Sequence, residues 1–120
     1  EQFEIPRILR VEFSKAREKY EYVDINGEST KTDKIERYTV YSKDGELAQF
    51  LEEKGMVSEI GELKDFVFEI SGDLEKVKMF KDKGLTRYII LTDYAIKPKW
   101  NRSRECFDGI KLEVREFEEE

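Results

Sequence analysis

The sequence predicts a mainly β fold, a β-rich α+β domain whose antiparallel strands close towards a small barrel. Three observations predict it. Six stretches alternate apolar and polar residues like half-buried strands, and one stretch alone has a clear helical period. A length of 120 residues allows one core and not two, so residues 1–120 are expected to form one domain. A single short helix cannot provide the repeated crossovers of a parallel sheet, and closure removes long exposed edges.

In RILRVEF, residues 7–13, Leu9, Val11 and Phe13 face one way while Arg10 and Glu12 face the other. In YEYVDIN, 20–26, Val23 and Ile25 are expected inside, with Tyr20 and Tyr22 outside. NGEST reads as a turn or loop. The third strand, ERYTVYS at 36–42, sets Tyr38 and Val40 opposite Arg37, Thr39 and Tyr41. The period then changes. Leu47, Phe50 and Leu51 form one stripe of a helix near 45–54, and Gly55 stops it.

Strand pattern returns in KDFVFEIS at 64–71, with Phe66, Phe68 and Ile70 on one face. TRYIILTDY at 86–94 is the strongest strand, being β-branched and aromatic. GIKLEVREF at 109–117 points Ile110, Leu112 and Val114 inward. GDLEKVKMFKDKG at 72–84 fits either a helix (Leu74, Val77, Phe80) or one arm of a hairpin (Val77, Met79). Its flanking glycines and neighbouring strands favour the extended form.

The order strand, strand, strand, helix, strand, strand over residues 7–94 resembles the OB-fold, a five-stranded barrel with its helix between strands three and four. The strand at 109–117 is then an extra C-terminal one. What the resemblance implies is an OB-like barrel that holds oligonucleotides on the outer face of strands two and three and on adjoining loops. The likeness is one of element order and says nothing by itself of activity.

Composition narrows the chemistry. Histidine is absent, which removes serine–histidine and cysteine–histidine mechanisms and the commonest metal ligand. The lone Cys106 leaves no internal disulfide or multi-cysteine zinc site and fits a reducing, cytoplasmic setting. No apolar run approaches the roughly 18 residues of a membrane span, so no membrane partner is expected. Two Gln and two Asn beside 50 charged residues resemble the balance of thermophile proteins. Neither a phosphate-cradling glycine loop nor a dinucleotide fingerprint occurs, and no cofactor is expected.

Charge carries the strongest functional signal. The net charge is −6, yet residues 76–104 hold nine Lys/Arg against only Asp82 and Asp93. Two basic–aromatic clusters make up this segment. KVKMFKDKGLTR sets Lys76, Lys78, Lys81, Lys83 and Arg87 around Phe80, and KPKWNRSR sets Lys97, Lys99, Arg102 and Arg104 around Trp100, the only tryptophan. Pro98 suggests that the second cluster is a surface loop. Single-stranded nucleic acid needs cations for its phosphates and rings for its bases. Tyr22, Arg37 and Tyr41, on outward faces, would extend that platform.

The reading is non-catalytic binding of single-stranded DNA or RNA. The plain alternative is that lysine-rich loops only keep the surface soluble. A second alternative is a protein-interaction or accessory module whose acidic surface, or the acidic end EFEEE at 116–120, grips a basic partner. The end itself reads as a solubilising terminus. Homo-oligomerisation is compatible with the pattern. A carboxylate–metal nuclease is the lesser alternative, with Asp65 and Glu69 or Asp108 and Glu113 as pairs. Their spacing does not set them apart from solvated surface acids.

Overall fold

The computed structural model describes residues 5–120. The elements among them run β1 (Leu9–Glu12), β2 (Arg17–Ile25), β3 (Glu28–Asp44), α1 (Gly45–Glu53), β4 (Phe66–Ile70), α2 (Leu74–Asp82), β5 (Thr86–Asn101) and β6 (Cys106–Glu119). Short 3-10 helices occupy Phe13–Lys15 and Val57–Glu62. The fold is mainly β, and its one six-stranded sheet has the order β1-β5-β6-β4-β3-β2. An additional β1–β3 pairing closes the sheet partly into a ring.

β1 and β2 follow one another along β3. Leu9–Val11 lie against Ser42–Asp44, and Arg17–Ile25 lie against Glu28–Thr39. Between them, the first 3-10 helix turns Phe13 fully into the core, where it meets Phe80 at 5.0 Å and Phe117 at 6.0 Å between ring centroids. Tyr38, Val40, Phe68, Ile70, Leu112 and Val114 line the same core from β3, β4 and β6.

One connection departs from the antiparallel expectation. β4 and β6 pair in parallel, at Glu69↔Glu113 and Ile70↔Val114 only. Parallel neighbours need a long crossover, and α2 with β5 supplies it. The segment 72–84, expected to be extended, is therefore a helix over Leu74–Asp82, with Val77 and Phe80 buried. Its neighbours are strands, but a stripe at i and i+3 buries two residues under a curled sheet better than strand alternation would.

Three further expectations are corrected. KPKWNRSR is not a loop: β5 continues to Asn101, pairing Pro98 with Ile110 and Trp100 with Phe107. Proline is tolerated because β1 pairs only with Thr86–Ile89, leaving the far edge of β5 open here. NGEST is a turn only at Asn26 and Gly27, whose positive φ angles of 54° and 83° suit a tight hairpin, and β3 resumes at Glu28. The acidic end keeps its glutamates 118–120 exposed and also forms the end of β6, where Phe117 is buried and Glu118 and Glu119 pair with Ile90 and Ile89. Val23 and Ile25 are exposed rather than internal, because the β2–β3 hairpin runs out beyond the core.

α1 also differs from its sequence reading. Asp44 caps it by accepting from the Glu46 and Leu47 amides, and Gly45 and Ala48 are its buried residues. Leu47 and Phe50 are half-exposed. Gly45 sits so close to Ile8 that any side chain there would collide with it. The molecule is elongated, 58 × 37 × 25 Å along its principal axes.

Candidate nucleic-acid interface

Alternation along β3 buries Tyr38, Val40 and Ser42 and turns Arg37, Thr39, Tyr41 and Lys43 outward. Residues paired across strands share a face. β2 sets Lys19 beside Arg37, while β4 sets Val67 beside Tyr41 and Glu69 beside Thr39. β6 adds Glu113 beside Glu69. β4 and β6 pair only at Glu69 and Ile70, so Val67 and Phe68 have no pairing partner in β6. A groove of about 710 Å³ lies there, lined by Lys19, Thr39, Val67, Glu69, Lys111 and Trp100 among others.

Glu69 organises the floor. It is 5% exposed, and a carboxylate so buried requires compensation. Three cations supply it. Lys19 Nζ lies 2.9 Å from Oε2, Arg37 Nη1 3.3 Å from Oε1, and Lys111 Nζ 2.5 Å from Oε1. The Lys19 contact is an ion pair without well-directed hydrogen-bond geometry, so Oε2 accepts no hydrogen bond. One carboxylate cannot neutralise three cations. Burial, and next the charges of Arg37 and Lys19, lower the Lys111 ammonium from its ordinary pKa.

The β5–β6 arm adds Lys97, which pairs with Glu113 at 3.0 Å, and Lys99, which has no ion-pair partner among the described residues. Lys19, Arg37, Lys97, Lys99 and Lys111 thus face only Glu36, Glu69 and Glu113 as paired carboxylates. At the rim, Trp100 is 51% exposed and meets Phe107, itself 64% exposed, edge to face at 5.0 Å. A neighbouring depression contains Tyr22, Tyr20, Lys31 and Arg37, with Lys31 Nζ 4.4 Å from the centre of the Tyr20 ring. Cations and open rings therefore occur side by side.

The structure brings Tyr22, Arg37, Lys97, Lys99 and Trp100 to this side. Tyr41 faces outward but lines a second groove further along β3. Arg102 and Arg104 occupy the turn at the tip of the arm, where Arg104 Nη1 lies 3.5 Å from Asp108. The other cluster disperses around α2. Phe80 is a core residue and offers no face to a base. Lys76 donates to the Phe117 carbonyl and lies over the Phe117 ring; Lys78 pairs with Asp82 and Lys81 with Glu18. Arg87 pairs with Glu119, and Lys83 is exposed at the end of α2.

Sequence reading missed Lys19, Lys31 and Lys111, and weighed Glu69 only as a metal-binding carboxylate beside Asp65. Strand alternation did place Lys111 outward, between Ile110 and Leu112. Nothing in one dimension joins it to Lys19, which the regular β2–β3 pairing sets beside Arg37 on the same floor. The acidic pairs are engaged as well: Asp65 with Lys43, Asp108 with Arg104 and Glu113 with Lys97. No group of three or more potential metal-binding side chains occurs among the described residues. No helix of the described residues is long and apolar enough to cross a membrane.

Neither a protein-family model, nor a curated protein, nor a solved structure matches this chain.

Proposed function

We propose that the partial ring is an OB-like barrel and that the chain binds single-stranded DNA or RNA without catalysis. β1 and β2 count as one first strand bent at the 3-10 helix, which makes five strands with α2 between the third, β4, and the fourth, β5. That is the OB order, and in it α1 becomes an insertion. OB domains hold oligonucleotides on the face of strands two and three and at the loops joining strands one to two and four to five. Here those parts are the outer face of β3 and β4, the Asn26–Gly27 turn and the tip of the β5–β6 arm.

The observation that carries the reading is the half-exposed Trp100 at the rim of a groove whose floor holds three cations on one carboxylate. Phosphates would meet the surplus positive charge while a base stacks on the indole. Fluorescence anisotropy with labelled single strands tests this. Lys99→Gln should weaken binding and reduce its salt dependence. Equal affinity and equal salt dependence for the variant would remove the groove from the interface.

A second reading, protein interaction, has its own observation. Leu47, Phe50 and Val57 are more than half exposed, and Glu46, Glu52, Glu53 and Glu59 surround them in sequence. That patch would suit a basic, partly apolar segment. It involves none of the groove residues, so oligonucleotide binding that survives Phe50→Ser separates the two.

A further inference from the structure

We infer that the binding track runs past the Trp100 groove, over Thr39 and Tyr41, into a second groove that holds further phosphates of the same strand. This rests on the single-strand reading proposed above. The second groove measures about 700 Å³ and is lined by Arg10, Glu12, Lys15, Arg17, Tyr41 and Lys43 among others. Volume does not distinguish it from the first, whereas its chemistry complements it. The first offers an open indole, and the second is chiefly cationic.

The two are contiguous by register. Thr39 lines the first groove, and its β2 partner, Arg17, lines the second. Val67 lines the first, and its β3 partner, Tyr41, lines the second. From Thr39 to Lys43 the outer face of β3 extends for about 13 Å at roughly 3.3 Å per residue. The half-buried Tyr41 belongs to the second groove and pairs with Val67 of the first.

Charge favours an anion here. Glu12 is shared by Arg10, 3.2 Å away, and Lys15, 3.1 Å away. Lys43 Nζ lies 2.9 Å from Asp65 and donates to the Leu63 carbonyl at 2.7 Å. Arg17 is exposed and has no ion pair among the described residues. Four cations thus meet two carboxylates. An elongated polyanion arriving from the first groove gains from this second surplus, whereas a short one cannot reach it.

The test compares labelled oligothymidylates of about 4 and about 12 nucleotides, within the range that OB modules occupy. Each is titrated at several salt concentrations into the wild type and into a Lys15→Gln/Arg17→Gln variant. Both side chains are exposed, and melting curves verify that the variant is folded. The wild type should bind the longer strand at least tenfold more tightly, with a log–log salt slope steeper by about 1.4, two contacts at about 0.7 each. The variant should keep its affinity for the short strand and lose that extra slope. If the folded variant retains the full slope with the long strand, the second groove is not part of the track. If the wild type binds neither strand, the single-strand reading itself fails.

Discussion

Trp100 and Phe107 face each other across the β5–β6 arm, ring centroids 5.0 Å apart and planes at 75°, and each leaves about half or more of its surface open. An edge-to-face pair holds the indole in one orientation without covering it. The tryptophan is therefore fixed by a neighbour outside the core, in a strand that has left the ring.

Trp100→Ala should cost about 1–3 kcal/mol of oligonucleotide affinity, the usual value of one base–aromatic stack. Thermal stability should fall little, because the lost partner is one exposed ring. Binding and melting measured on the same protein check both halves. A large drop in melting temperature with unchanged affinity would make the ring a structural element of the arm.

Phe80→Ala should do the reverse. Phe80 is 4% exposed and packs 5.0 Å from Phe13, so its loss opens a cavity and should destabilise the fold by about 3–5 kcal/mol. Denaturant unfolding gives the figure. The affinity of the molecules still folded should be unchanged, and a specific loss of affinity would return α2 to the interface.

Exchanging lysines separates the two basic clusters. Lys78→Gln with Lys83→Gln should leave the salt dependence of binding unaltered, since both positions lie on the exposed side or end of α2. Lys19→Gln with Lys99→Gln should flatten the log–log slope by about 0.7 for each lost contact. Glu69 keeps Arg37 and Lys111 in the second variant, so its fold should persist. The opposite pattern would transfer the interface to α2.

Acid should weaken the fold through identifiable pairs. Hydrogen bonds from Lys15, Lys81 and Lys97 hold the Glu12, Glu18 and Glu113 carboxyls below their ordinary value of 4.5. A carboxylate with a depressed native pKa contributes its stability above the unfolded value and loses it as pH falls through the native one. Melting temperature should therefore drop below about pH 4.5. In Lys81→Gln the neutral-pH value should be lower and the acid loss shallower. Identical acid profiles would show that the Lys81–Glu18 pair contributes nothing.

Local pattern reached far into this fold. Alternation placed Tyr38, Val40, Phe68 and Ile70 inside and Arg37, Thr39 and Tyr41 outside, and the glycine stop after α1 was readable. Lengths were not. Hairpin arms extend strands beyond the core, where apolar periodicity no longer reports burial: Val23, Ile25 and Ile110 alternate correctly and are exposed. α2 escaped because Val77 with Met79 fits a strand face as well as Val77 with Phe80 fits a helical stripe, and only the burial of Phe80 with Met79 exposed decides between them. The site was half legible. The cluster at 97–104 stood out by composition, whereas the Lys19–Glu69–Lys111 floor depends on the pairing of β2 with β3 and on a two-residue parallel contact between strands remote in sequence.

The central claim is that Trp100 meets bases beside a cationic floor, and the chain's only tryptophan reports on it directly. Titrating a mixed-sequence single strand while following indole emission at two salt concentrations is the decisive measurement. A saturable change in emission is predicted, with a midpoint that moves to higher oligonucleotide concentration as salt rises. Unchanged emission at both salt concentrations, at oligonucleotide concentrations into the millimolar range, would contradict the account.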